Sequence, residues 1–432
     1  MKIFNTLQIL VKSRGFKSAG IYTFSNFFAK ATGFLLLFLY SNPKYISVDE
    51  NGLLSLLGSS VYILMPLLSL GIIQSTSVDY FKLGKNEFRD FFTSGFVMPA
   101  ITMIVACAGL YFFRNEINFH FGFPLSFVLI IPVLSFLNFC NEQYISLIRN
   151  NDEPVRFFKA SMLRLFLEIS ISVTLVVAFA WRWEGRVTGI LIANGVLLIV
   201  AFIYFFRKGY VFGRIRKKYL TQELTYALPI IVMQVSTFCM AHSDKFFVAY
   251  FSDNNSVGIY GYACIFASLI SVACSAMLSY VMPKIYAAMA KPAIDFNAIR
   301  KYFYYYAAGC SAVLLVVVFI TPLMYKLFIN ELYHPGLQYM FLIAIGYFLW
   351  SITYFFYSFL LFKKQKIVIL ILSLISIIIS LSFNYLFTSN WQTQGAALAI
   401  CFSYLAVLII TLLISYKNVR ILFSKNNHSL NR

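Results

Sequence analysis

The chain consists of long, uninterrupted runs of apolar residues separated by short polar breaks. Most runs extend over about 20 residues, the length that an α-helix needs to cross a bilayer. Transmembrane β-strands would instead appear as segments of about ten alternating residues. The pattern therefore predicts an all-α integral membrane protein. Twelve transmembrane helices are expected, at residues 20–40, 53–77, 92–113, 125–148, 160–181, 187–206, 225–251, 259–282, 303–327, 337–362, 367–387 and 395–416.

The composition excludes an ordinary soluble protein. Of the 432 residues, 60% are apolar and only 12% are charged, whereas a soluble domain carries about 25% charged residues. The formal net charge of +19 would suggest nucleic-acid binding if the cations formed a patch on a folded surface. They lie instead in the short breaks between apolar runs, so we expect no nucleic-acid partner.

The distribution of lysine and arginine predicts the orientation of the chain. One set of alternate connections, which includes both termini, carries 27 of these residues, and the other set carries 5. The positive-inside rule then places both termini in the cytoplasm. The first span is expected to be retained, because residues 1–19 contain no apolar core that ends in a cleavage site.

The longest and most basic connection divides the spans into six and six and resembles a hinge. Because each half has an even number of spans, both halves start from the same side and form a parallel repeat. We expect a substrate path through a central cavity between these halves. The predicted organisation is a six-helix bundle at 1–206, a basic cytoplasmic linker at 207–224, a second six-helix bundle at 225–416 and a cytoplasmic tail at 417–432.

Glycines at matching positions indicate that the two halves arose by internal duplication. Gly52 corresponds to Gly258, and Gly189 corresponds to Gly395; both pairs are 206 residues apart. A repeated offset of this kind is typical of duplicated sequences.

Cations within the spans suggest the function. A charge near the bilayer centre costs about 3 kcal/mol, so it must be paired, hydrated or retained for a purpose. Lys30 lies ten residues from either end of the first span, too deep to reach water easily. Lys245 lies in the first span of the second half. We therefore predict a hydrated cationic cavity whose substrate-binding side chains are Lys30, Lys245, Asn26, Arg164, Gln234 and His242.

Structural roles for the same charges remain open in the sequence. Lys245 could pair with Asp244, and Arg164, near the cytoplasmic end of its span, could pair with Glu168 one helical turn later. Asp244 and Glu168 are also the candidates for coupling transport to protons or sodium ions. No other cofactor is expected. The seven cysteines lie within spans without metal-ligand spacing, so we expect neither a metal site nor a disulfide.

Short motifs recur in both halves of the chain, at residues 20–26, 49–54 and 67–71 in the first half, and at Leu228-Pro229, 243–247, 257–262 and Pro283 in the second. These motifs resemble those of bacterial polysaccharide flippases of the Wzx type, the O-antigen translocases, which share a superfamily with multidrug exporters and lipid II flippases. The resemblance covers nearly the whole chain. The family commonly has an Asp-Arg pair where this chain has Asp244-Lys245, so the cation is kept but its bidentate geometry is not.

The resemblance implies a flippase of the bacterial inner membrane. Its substrate would be an oligosaccharide on undecaprenyl pyrophosphate, such as an O-antigen repeat unit used in lipopolysaccharide biosynthesis. The head group would cross to the outer leaflet by alternating access, with Lys30 and Lys245 attracting the pyrophosphate. A polymerase and a chain-length regulator of the same pathway would be further partners.

Two other classes remain in competition. A multidrug exporter of the same superfamily would select cations and needs unpaired acids, a role open to Asp244 and Glu168. A membrane polymerase or glycosyltransferase generally needs a sizeable outer loop with catalytic acids or bases. The longest outer connection here has about a dozen residues and no paired carboxylates, so we expect a transporter rather than an enzyme.

Overall fold

A computed structural model describes residue 34 and residues 36–291, 294–363 and 365–415. These residues are almost entirely helical and contain no β-strand. This confirms the predicted all-α membrane fold. The chain divides into two compact units, 1–231 and 232–432.

The first unit follows a short helical stretch at 36–40. Its elements are α1 (Val48–Ser69), α2 (Ile72–Asp79), α3 (Lys85–Gly95), α4 (Val97–Phe112), α5 (Arg114–Phe121), α6 (Phe127–Asn150), α7 (Pro154–Val173, extended by a π-helical turn at Thr174–Ala178) and α8 (Arg182–Lys208).

Helix α9 (Lys217–His242) runs through the boundary into the second unit. The second unit continues with α10 (Asp244–Phe251), α11 (Asn254–Met289), α12 (Phe296–Phe328), α13 (Gly336–Phe362) and α14 (Lys366–Ile414).

Local sequence signals explain where α1 begins and ends. Ser47 and Glu50 form a capping box: the Ser47 hydroxyl accepts from the Glu50 amide at 3.2 Å, and the Glu50 carboxylate accepts from the Ser47 amide at 2.7 Å. Pro66 lies in the last turn, and Leu70 and Gly71 both adopt left-handed backbone angles. The second predicted span is therefore two helices, α1 and α2, with a break between them.

Nine segments of the described chain are long and apolar enough to cross a membrane. One of them, α14, contains two predicted spans, because Trp391 and Gln392 depart from helical angles in its middle. The predicted span at 225–251 is divided between α9 and α10. Most of the predicted first span lies outside the described residues. These differences reconcile the nine segments with a twelve-helix membrane protein.

Gly189 and Gly395, one of the two matched pairs, play the same part in each unit. A Cβ atom on Gly189 of α8 would lie 2.1 Å from the Ser172 hydroxyl of α7. A Cβ atom on Gly395 would lie 2.0 Å from the Phe387 carbonyl oxygen across the kink in α14. In both units glycine allows the sixth span to approach the fifth closely. This shared requirement agrees with the 206-residue offset.

Candidate functional site

The seventh predicted span is interrupted at Ser243, where α9 ends and α10 begins. The Ser243 amide lies 3.4 Å from the Cys239 carbonyl oxygen, a long contact, while the Phe246 amide turns back to the Ser243 carbonyl at 3.0 Å. The Ser243 hydroxyl also donates to the Cys239 carbonyl at 2.5 Å. Side-chain bonds to the backbone of this kind compete with the regular helical ladder.

Two polar residues of α14 hold this break in place. The Ser380 hydroxyl donates to the Cys239 carbonyl at 2.9 Å. The Asn384 amide group donates to the Ser380 carbonyl at 2.8 Å and lies 3.5 Å from the Ser243 hydroxyl. Irregular backbone at membrane depth is tolerated where neighbouring side chains satisfy its polar groups. The break at Ser243 is therefore stabilised by specific hydrogen bonds within the second unit.

Asp244 and Lys245 form the first turn of α10, directly after the break. Their side chains are buried, with 2% and 8% of their surface exposed. A carboxylate in the first turn is stabilised by the helix dipole. The Asp244 Oδ2 atom lies 3.8 Å from the Cys264 Sγ atom of α11, and Tyr260 is a further electrostatic neighbour. Transporters place ion and substrate sites at discontinuous helices of this type.

Lys245 forms no salt bridge within the described part of the chain. The alternative in which it pairs directly with Asp244 is therefore wrong, although the two charges remain electrostatic neighbours. The Asp244 Oδ1 atom is likewise buried and accepts no hydrogen bond from a described residue. The second unit thus contains a buried cation and a buried anion that are close but not fully neutralised.

The other predicted residues of this span lie before the break. His242 ends α9, stacks on the Phe238 ring at 5.1 Å and is an electrostatic neighbour of Lys245. The Gln234 Oε1 atom is buried and accepts no hydrogen bond from the described residues. The structure therefore brings His242 to Lys245, whereas Gln234 lies two to three helical turns earlier in the chain.

In the first unit, Glu168 does not pair with Arg164. It accepts a hydrogen bond from the Arg186 guanidinium of α8 at 2.7 Å, and the two side chains are 23% and 16% exposed. Arg186 also donates to the Ser172 hydroxyl at 3.2 Å and lies over the Tyr40 ring. The alternative in which Arg164 pairs with Glu168 is therefore wrong, because the Arg186 guanidinium on the neighbouring helix reaches both Glu168 and Ser172.

Arg164 lies in the interior of helix α7, which begins at Pro154, so it is about 15 Å along the helix axis and near the middle of the segment Pro154–Ala178. Its closest polar contact is the Asn138 side-chain oxygen of α6, at 3.4 Å. It has no salt bridge with any residue that the structure describes. Its predicted place near the cytoplasmic end of the span stays a prediction.

Lys30 and Asn26 lie outside the described residues, so their predicted roles stay predictions. The sequence reasoning missed Arg186 and Ser380 as members of these sites. Ser380 and Asn384 are spaced by four residues in an otherwise apolar helix, which is a signal for an interhelical polar contact. The predicted sixth span begins at residue 187, directly after Arg186, whereas α8 begins at Arg182, so the apolar pattern alone places Arg186 in a connection.

Comparison with protein families gives one match. The model of the family described as "Polysaccharide biosynthesis protein" matches residues 16–289. Comparison of the sequence with curated proteins gives no match.

Solved membrane transporters share the fold. An inward-facing multidrug resistance transporter of the MATE family, in the MOP superfamily, has a TM-score of 0.72 at 14% identity, covering 89% of this chain and 94% of that one. The lipid II flippase MurJ, in an inward closed conformation, has a TM-score of 0.72 at 16% identity, covering 93% and 91%. The MATE multidrug transporter DinF-BH has a TM-score of 0.65 at 14% identity, covering 94% and 96%.

Proposed function

Because the chain belongs to the polysaccharide biosynthesis protein family, we propose that it is a flippase for lipid-linked oligosaccharides. The substrate is an oligosaccharide on undecaprenyl pyrophosphate, such as an O-antigen repeat unit. It moves from the cytoplasmic to the outer leaflet of the bacterial inner membrane by alternating access. The family match and the fold shared with MurJ and MATE transporters support a flippase or exporter; the particular substrate is our inference.

The ammonium group of Lys245, which is buried and forms no salt bridge with a described residue, is the observation that carries this proposal. A charge that costs several kcal/mol and has no ion-pair partner is retained for a purpose. A pyrophosphate is a dense anion, and a cation in a low-dielectric site attracts it strongly. Arg164, which is partly buried and has no salt bridge with a described residue, supplies a second cation, and Lys30 a third by its sequence position.

The polar groups on the helix that leads to Lys245 suit a sugar head group. The free acceptor atom of Gln234 and the imidazole of His242 lie on the helix that leads to Lys245. A sugar cannot cross hydrocarbon unless its hydroxyls are hydrated or hydrogen-bonded. We propose that Gln234, His242 and Asn26 line its path while the lipid tail stays in the bilayer.

Asp244 is the candidate we favour for ion coupling, by a proton or by sodium. Its Oδ1 atom is buried and accepts no hydrogen bond from the described residues. Glu168 is weaker in this role, because its charge is already neutralised by Arg186. The substitution Asp244→Asn, which removes the charge, is therefore expected to uncouple transport more than Glu168→Gln.

The test is a strain that lacks this protein. We expect it to lose surface polysaccharide and to accumulate lipid-linked repeat units, both reversed by the wild-type chain. Lys245→Ala and Lys30→Ala should fail to restore the polysaccharide at normal protein level, whereas the exposed Lys326→Ala should restore it. Full export by Lys245→Ala would remove Lys245 from the mechanism.

A multidrug exporter is the second candidate, favoured by the buried acid Asp244. It predicts that the deletion strain becomes sensitive to cationic dyes and keeps its polysaccharide. The flippase predicts the opposite in both measurements. The two functions therefore separate in one strain.

A further inference from the structure

The connection between α8 and α9, residues 209–216, is fastened to α3 along one side. The Asp90 carboxylate accepts from the Arg214 amide at 2.8 Å and from the Arg216 guanidinium at 2.7 Å. Thr93 and Ser94 accept from further amides of the connection, at 2.9 and 3.1 Å. This connection is therefore docked onto the first unit rather than hanging free.

Tyr210 anchors the start of the same connection. Its hydroxyl accepts from the Asn151 side chain at 3.2 Å, and Asn151 accepts in turn from the Tyr80 hydroxyl at 2.9 Å. Burial and the neighbouring Tyr210 hydroxyl raise the pKa of Tyr80 to about 12, so Tyr80 remains a neutral donor. The Tyr210 ring packs edge-on against Phe88. The connection is thus held in one conformation from both ends.

The opposite side of the connection presents apolar side chains outward. Phe212 is 71% exposed, and its backbone φ of 62° lies in the left-handed region that bulky residues avoid. Its ring lies 6.2 Å from the exposed rings of Phe202 and Phe206 on α8. Since α8 is long and apolar enough to cross a membrane, Phe212 continues the exposed apolar surface at the end of a helix of this kind.

Cations accompany these apolar side chains. Arg214, Lys217 and Lys218 are exposed, as is the apolar Ile215, and residues 207–222 contain no acid. Asp90 is engaged by Arg214 through its backbone and by Arg216 through its side chain, so the Arg214 guanidinium stays available. We call Phe212, Arg214, Ile215, Lys217 and Lys218 the linker edge.

We propose that the linker edge is a binding site for anionic phospholipid head groups at the membrane interface. Phe212 and Ile215 insert beside α8, and the three cations contact the lipid phosphates. Apolar rings next to clustered Lys and Arg are the combination that interfacial binding requires. The inward contacts of Asp90 and Tyr210 preorganise this edge, so little ordering is needed on binding. The site is separate from the transport function proposed above.

Native mass spectrometry of the full-length protein in detergent tests the site. Phosphatidylglycerol and phosphatidylcholine with identical acyl chains serve as probes. We expect the wild type to retain phosphatidylglycerol preferentially. The triple variant Arg214→Gln, Lys217→Gln and Lys218→Gln should weaken its apparent affinity by about fivefold per cation. The matched control removes three exposed lysines elsewhere: Lys82→Gln, Lys301→Gln and Lys366→Gln.

Phe212 provides a second, independent measurement. Phe212→Gly and Phe212→Ala should both lower phosphatidylglycerol retention, because both remove the ring. Only Phe212→Gly should keep or raise the thermal midpoint in lipid-free detergent, since glycine adopts a left-handed backbone without strain. Unequal lipid loss by these two variants would contradict insertion of the ring.

Two results would overturn the proposal. One is an equal loss of phosphatidylglycerol in the triple variant and its control, which would show that only total charge matters. The other is displacement of phosphatidylglycerol from the wild type, but not from the triple variant, by an equimolar amount of undecaprenyl pyrophosphate. That result would assign the linker edge to the transported lipid instead.

Discussion

The two units contain charges in opposite arrangements, partly buried in the first unit and buried in the second. In the first, Arg186 and Glu168 form a salt bridge at 2.7 Å, with Ser172 and Tyr40 completing the surroundings of the arginine. In the second, Lys245 follows a broken helix and has no salt bridge with any described residue. The first arrangement neutralises its charges within the protein. The second leaves the charge of Lys245 able to attract an anion.

This difference distinguishes charges with a structural role from charges with a functional role more clearly than their burial alone does. Removing one partner of a buried pair leaves an uncompensated charge and destabilises the fold. Removing a charge that has no partner takes away a cost. Stability and transport should therefore respond in opposite ways at the two places.

The largest effect on both properties is expected from Lys245→Glu. It places two adjacent acids at a buried site, so it should lower the unfolding free energy by about 3 kcal/mol and abolish surface polysaccharide. Lys245→Met keeps the volume of the side chain without its charge, so it should abolish polysaccharide without lowering the thermal midpoint. Equal polysaccharide levels in Lys245→Met and the wild type would assign the lysine to packing.

The next largest effect is expected from Glu168→Ala. It leaves Arg186 largely buried without its partner and should cost about 2 kcal/mol of unfolding free energy, below the value for a fully buried pair. Replacing both residues by leucine should recover part of that loss in a double-mutant cycle followed by thermal unfolding. If Glu168→Ala instead stopped transport with unchanged stability, the pair would be part of the coupling machinery.

A smaller effect is expected at the helix break. Asn384→Ala removes the hydrogen bonds that tie α14 to Ser243 and should cost about 1 kcal/mol, with a matching decrease in polysaccharide. The control is Ser389→Ala in the same helix, whose exposed hydroxyl bonds only to its own turn. An Asn384→Ala variant as stable and as active as this control would show that the helix break at Ser243 does not depend on Asn384.

The smallest change in stability is expected from Arg164→Gln. Arg164 has no salt bridge to lose among the described residues, so the unfolding free energy should stay within about 0.5 kcal/mol of the wild type. Surface polysaccharide should nevertheless fall, and Arg164→Lys should retain it. Lys159→Gln, exposed on the same helix, is the control. A large loss of stability in Arg164→Gln would show that the contact with Asn138 is structural.

The fold was largely predictable from the sequence, and the site only in part. Long apolar runs predicted the membrane helices, and the pair Gly189 and Gly395 indicated the repeat, whereas the close approach at these glycines became visible only in the structure. Lys245 and Asp244 were identified because charge is rare in a span. The partner of Glu168 could not be predicted, because the same sequence is compatible with a salt bridge within one helix and with a salt bridge between helices.

The sequence by itself determined that this protein folds in a lipid bilayer rather than in water. Hydropathy is a property of each segment, and a segment that cannot remain in water must become a helix in lipid. Only the tertiary structure decided which charges are neutralised. That outcome depends on the distances between side chains of different helices. These distances place Arg186 on Glu168 and place Ser380 and Asn384 at the break at Ser243. They leave Lys245 without a salt bridge to any described carboxylate.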